Sequence, residues 1–160
     1  MHSLKQHLKP DSKQIPDTIL IELCKTTKIP LILLGGKEDR IKAEQIRKQA
    51  ENSDIFNACG SFSINQSASI IEQSQLVITS DTGLMHIASA FNKKIISVWG
   101  NTVPEFGMYP YLPNEQKAEI IENKSLKCRP CSKIGFEKCP KNHFDCMNKI
   151  DISLIKKHLQ

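Results

Sequence analysis

The chain has 160 residues and a formal net charge of +5, from 22 Lys and Arg against 17 Asp and Glu. Hydrophobic residues make up 39% and charged residues 24%, a globular composition that excludes an intrinsically disordered chain. A domain of this size buries about 70% of its unfolded surface, so one real core is expected. No apolar run approaches the roughly 20 residues that span a bilayer, and MHSLKQHLKP lacks the apolar centre of a signal peptide. The expectation is a cytoplasmic protein.

Taken in chain order, residues 15–27 read as a helix. PLILLGG (residues 30–36) reads as a buried strand entering a glycine turn. Residues 37–52 are rich in good helix formers with one exposed face. Residues 54–60 form a second strand, 67–74 a short helix, and LVITSD (76–81) a third strand. Residues 83–91 are helical, KIISVWG (94–100) is a fourth strand and AEIIEN (118–123) a fifth. The polar stretch MHSLKQHLKP reads poorly as a buried strand. The sheet is therefore expected to lack its opening strand and to expose an edge beside the central ones. Strands alternating with helices predict an α/β fold, a Rossmann-like parallel sheet with flanking helices. In such sheets ligands sit at the carboxyl ends of the strands. Residues 35–39, 60–63, 80–86 and 100–104 are the candidates by that rule.

After Asn123 the alternation is lost. Residues 124–160 hold nine Lys or Arg and three Asp or Glu, a net of +6, and the first 123 residues carry a net of −1. The expected organisation is a Rossmann-like domain over 1–123, then a Cys-rich basic tail with a final helix at 152–158. The basic tail is either a solvated surface or a contact for an anionic partner. No basic helix interleaved with aromatics is present, so nucleic acid is not expected as a partner.

The sharpest local signal is Thr79-Ser80-Asp81-Thr82-Gly83-Leu84-Met85-His86, a strand end, a turn and a helix start. The first N–H groups of such a helix lack intrahelical acceptors and, with the helix dipole, suit a phosphate. Gly83 permits close approach, Thr82 adds a hydroxyl donor and His86 lies one turn further on. Asp81 would repel a diphosphate, and its simplest role is N-capping the helix. The alternative for the whole segment is a capped strand–helix turn without a ligand.

DTGLMH followed by a helix and KIISVWGNTVP resembles the C-terminal domain of glycosyltransferase family 9, the ADP-heptose:lipopolysaccharide heptosyltransferases. Ser12-Lys13-Gln14-Ile15-Pro16 resembles the Lys-containing segment before that domain's first helix. LLGGKED resembles its glycine turn, residues 60–71 its "G…S…Q…A.II" stretch, and WGNT its aromatic-Gly-x-Thr strand end. CRPCSKIG…CP..HFDCM resembles a Cys-rich tail found in part of the family. The resemblance implies one half of a GT-B fold that binds a nucleotide-sugar donor for lipopolysaccharide core synthesis. It implies that Lys13 neutralises the donor phosphates and that Glu38 or Asp39, beside Gly36, holds the ribose hydroxyls. Thr82, Gly83 and Leu84 would cradle the diphosphate, His86 would support that pocket, and Asp81 would orient the loop. Transfer would require no cofactor, the leaving diphosphate being stabilised electrostatically. The acceptor half, with its acidic general base, is expected to lie outside this chain, which leaves no catalytic residue here. Donor binding without turnover, and peripheral contact with the inner membrane, are the resulting expectations.

The tail offers Cys128-x2-Cys131-x7-Cys139-x6-Cys146 with His143 between the last two. Four thiolates, or three with His143, would suit a structural zinc ion. Two disulfides in an oxidising medium, or reduced packed thiols, are the other readings. Cys24 and Cys59 read as isolated core thiols. The competing reading of the whole chain is a non-catalytic Rossmann-like module whose basic Cys-rich tail binds a partner, an anionic surface or zinc.

Overall fold

A computed structural model describes residues 2–5, 13–111, 118–136 and 138–160. Six strands form one sheet: β1 (His2–Lys5), β2 (Leu31–Leu34), β3 (Ile55–Asn57), β4 (Leu76–Ser80), β5 (Lys94–Trp99) and β6 (Glu119–Glu122). Their order is β3-β2-β1-β4-β5-β6 and every neighbouring pair is parallel. The crossover direction reverses between β1 and β4, the switch point of a doubly wound sheet.

The opening strand is present, contrary to expectation, and it is central. His2, Ser3 and Leu4 register with Leu31, Ile32 and Leu33 on one side and with Leu76, Val77 and Ile78 on the other. The exposed edge expected beside the central strands therefore does not exist. Its signal is weak because four residues holding one aliphatic side chain give no readable period. Hydrogen bonding along both edges of the strand is a backbone property that side-chain composition does not report.

Helices α1 (Asp17–Thr26) and α2 (Arg40–Ala50) cover one face, and α3 (Ile64–Gln73) and α4 (Gly83–Ala90) the other. The strands alternate accordingly. Leu31, Leu33, Leu76, Ile78, Ile96 and Val98 enter the first cluster; Ile32, Leu34, Val77, Ile95 and Trp99 enter the second. Burial on both faces explains why β2 reads as an unbroken apolar run and why β4 opens on Leu-Val-Ile before the buried hydroxyls of Thr79 and Ser80. Helix α1 buries Ile19, Leu20, Leu23 and Cys24 at helical spacing. Each buried aliphatic side chain there contributes about 1.5–3 kcal/mol.

Helix α3 starts earlier than its composition suggests. Ser63 caps it, accepting from the Gln66 N–H at 3.3 Å, and the Gln66 side chain accepts from the Ser63 N–H at 2.9 Å. Ser63-x-x-Gln66 is a capping box written in the sequence.

The tail adds two one-turn helices, α5 (Asp145–Asn148) and α6 (Ser153–Lys156), the second shorter than expected. Cys146, Met147, Ile150, Ile155 and Leu159 are buried in the same cluster as α1. The Lys28 N–H donates to the Leu159 carbonyl at 3.0 Å, and Lys156 pairs with Glu22 at 2.6 Å. Cys24 and Cys59 are buried, as expected.

Candidate functional site

Strand β4 is wholly buried and delivers Asp81 to the carboxyl edge of the sheet beside the switch point. Lys13, which precedes α1, reaches the same edge. Its Nζ donates to Asp81 Oδ2 at 2.6 Å, with the two side chains 15% and 7% exposed. Asp81 is not the N-cap of α4; that position belongs to Thr82, whose backbone is extended and whose side chain makes no capping bond. The extended backbone continues through Thr82 before the helix begins at Gly83, which moves the cap one residue past Asp81. The pairing also resolves the repulsion expected of Asp81, since its charge is met by Lys13.

The rest of the turn is open. Thr79 and Thr82 hydroxyls lie 3.1 Å apart. A Cβ placed on Gly83 would meet nothing within 4 Å. Leu84 is buried in the core, so only its N–H is available to a ligand, and His86 on the next turn is exposed. Thr102, from the loop after β5, adds its hydroxyl at 3.5 Å from Asp81 Oδ2.

The glycine turn after β2 separates the two acidic candidates. Asp39 is buried, and its Oδ2 accepts from the Gly36 N–H at 2.8 Å, closing the short 3-10 turn Lys37–Asp39. Glu38 stays exposed beside Gly36, where an added Cβ would fall on its carboxylate. Gly60 supports the turn from β3. Its N–H donates to the Gly35 carbonyl at 3.0 Å, its φ is +69°, and a Cβ there would come within 2.7 Å of Lys37 Cα. A Cβ at that φ is disfavoured even in open space.

The tail cysteines gather without forming disulfides. Cys128 Sγ lies 3.9 Å from His143 Nε2, and Cys131 Sγ donates to the Cys128 carbonyl at 3.1 Å. Burial pushes the Cys146 thiol up to about 11, with the neighbouring thiols adding to it. Burial also raises Cys131, helped by Cys128 and Cys139. Burial alone would raise Cys139, but N–H groups of Phe144, Lys141, His143 and Asn142 hold it below its ordinary value. Among the described residues no three His, Cys, Asp or Glu side chains are arranged to hold a metal ion.

Two contacts tie this tail to the site. The Arg129 guanidinium donates to the carbonyls of Trp99, Gly100 and Thr102, and the Cys131 N–H donates to the Asn101 carbonyl at 2.9 Å. Thr102 lies within the 100–104 stretch that follows a strand and closes the WGNT motif, whereas Arg129 was not singled out, because one Arg between cysteines carries no spacing signal of its own.

The family model of glycosyltransferase family 9 (heptosyltransferase) matches residues 13–140. The chain belongs to glycosyltransferase family 9. A curated relative, lipooligosaccharide heptosyltransferase 2 of Haemophilus influenzae, is 32% identical over 123 residues, 72% of this chain and 34% of the relative. The chain spans about a quarter to a third of the length of the curated relatives it matches. Two solved structures share the fold. ADP-heptose lps heptosyltransferase II of E. coli superposes with a TM-score of 0.69 at 22% identity, over 99% of this chain and 47% of that one. E. coli heptosyltransferase WaaC with ADP gives 0.67 at 17% identity, over 99% and 44%. The Rossmann-like fold expected from the family 9 resemblance is thus the fold observed. Among the described residues no helix is long and apolar enough to cross a membrane.

Proposed function

We propose that this chain is the donor-binding half of a heptosyltransferase of lipopolysaccharide core synthesis, and that its ligand is a nucleotide sugar of the ADP-heptose class. The observation that carries the reading is the Lys13–Asp81 pair at the mouth of α4, beside the open Gly83. The pair holds an ammonium within reach of the helix N-terminus, and both favour a diphosphate. Thr82 and the N–H groups of Gly83 and Leu84 supply further donors, and exposed His86 follows one turn into the same helix. Glu38, exposed where Asp39 is occupied, is the carboxylate for the ribose hydroxyls, and Gly36 keeps that approach clear. Relatives named for ADP-heptose transfer and a family structure with ADP support the choice of adenine nucleotide.

In transfer, the sugar–phosphate bond breaks and negative charge grows on the leaving diphosphate. Lys13 and the α4 N–H groups are aimed where that charge develops, which is electrostatic stabilisation by fixed donors. The lipopolysaccharide-core acceptor and the base that activates it belong to the acceptor half of the fold. Exposed Lys127, Lys133, Lys138 and Lys141 give the tail cationic side chains for anionic headgroups of the inner membrane from the cytoplasmic side.

The test is a thermal titration of the chain with ADP, UDP, GDP and AMP, repeated on Lys13→Ala and Asp81→Ala. A ligand at a hundredfold excess over its Kd stabilises by about 2.7 kcal/mol. ADP is expected to raise the melting temperature most, and both variants to lose the effect. A flat response to all four nucleotides overturns the reading.

A further inference from the structure

All four residues of Trp99-Gly100-Asn101-Thr102 are buried, so each carbonyl there needs a donor from the protein. The Cys128–Cys131 segment supplies every one. Arg129 Nε donates to the Gly100 carbonyl, and Nη2 to Thr102 at 3.1 Å and, at the long end, to Trp99 at 3.4 Å. The Cys131 N–H takes Asn101. The same guanidinium donates through Nη1 to the Asn123 carbonyl at 3.0 Å and through Nη2 to Glu122 Oε2 at 2.8 Å. Arg129 and Glu122 side chains are 5% and 6% exposed, so the charge is buried and compensated. A guanidinium fits because it spreads five N–H donors over a fixed plane, where an ammonium offers three from one point.

The loop held in this way carries Thr102, whose hydroxyl approaches Asp81 Oδ2, which in turn holds Lys13. We infer that Arg129 is a positioning residue for the diphosphate site, acting through the 99–102 loop on Asp81 and Lys13. The Cys-rich tail then has a role at the site without touching the ligand. Removing the guanidinium would release three buried carbonyls at once, and the loop would shift to find other donors. Thr102 and Asp81 would move with it. The inference rests on the nucleotide reading only for its effect on affinity; the effect on the Asp81 loop is independent of any ligand.

The experiment uses the full chain labelled with 15N. Amide resonances of residues 81–84 are compared in the wild type, Arg129→Lys and Thr102→Val, and ADP affinity is measured by calorimetry well below each melting temperature. Both variants are expected to shift the 81–84 resonances and to weaken ADP about three- to tenfold. Arg129→Lys combined with Asp81→Asn is expected to bind no more weakly than Asp81→Asn alone. Global loosening would instead lower the melting temperature and add to the Asp81 effect. Thr102→Val leaves the guanidinium in place and keeps the test open should Arg129→Lys fail to fold. Unmoved 81–84 resonances, or strictly additive losses, overturn the inference. If the wild type ignores ADP while the resonances still shift, the nucleotide reading falls and the positioning role stands.

Discussion

Lys13 and Asp81, 68 positions apart in the chain, meet at 2.6 Å across the switch point of the sheet. Both are largely buried, so either left alone would be a charge without its partner. Asp81→Ala is expected to cost about 3 kcal/mol in urea denaturation, and the Lys13→Ala, Asp81→Ala double variant clearly less than the sum of the singles. Additive costs would show that the two side chains act independently.

Gly83 separates folding from binding. Its Cβ position is open and its backbone is ordinary helix, so Gly83→Ala is expected to leave stability within about 0.5 kcal/mol of wild type. A methyl there stands where the diphosphate would approach the α4 N–H groups. Calorimetry should therefore show ADP weakened while the urea midpoint is unchanged. Equal affinity would place the phosphates elsewhere.

The six thiols should divide by burial. Cys24, Cys59 and Cys146 are buried, and Cys128, Cys131 and Cys139 are partly accessible. Timed alkylation of the native chain should modify Cys139 first, since its thiol is held below the ordinary value. Burial raises Cys24 to about 12 and Cys146 to about 11 from an ordinary 9.0. The folded state therefore keeps protons that the unfolded chain releases. That stabilisation is complete below pH 9 and is lost as pH rises through the range between the ordinary and the raised values. Cys146→Ala should flatten part of that alkaline decline.

At the acid end the tail has its own signature. Glu119 accepts from Lys157 and His158 at 2.8 Å each. The Lys157 bond outweighs the opposing effect of burial and, with His158 adding to it, lowers its carboxyl below the ordinary 4.5. The stabilisation is present above 4.5 and is lost as pH falls through the lowered value. Glu119→Gln should remove this acid-dependent part of the melting curve, and a curve of unchanged shape would count against the contact.

The strands that are buried on both faces were legible, since LILL is apolar throughout and LVITS opens on three aliphatic residues. So was the 80–86 turn, because Thr, Gly and a helix start lie consecutively in the sequence. The role of Asp81 was not, because its partner lies 68 residues away and local rules offer only a cap. Glu38 and Asp39 could not be told apart, since adjacent carboxylates differ only in which one the Gly36 N–H captures. Strand β1 escaped because pairing on both edges does not require an apolar sequence.

The half-sheet β3-β2 and the half-sheet β4-β5-β6 are joined through β1. Neighbouring strands lie about 4.8 Å apart, so β2 and β4 stand about 10 Å from one another. One strand's width thus acts as a ruler between the loop that bears Glu38 and the loop that bears Asp81. A ligand that engages both must carry its hydroxyls and its phosphates at the separation this ruler sets. Widening or removing the central strand would change which molecules measure up.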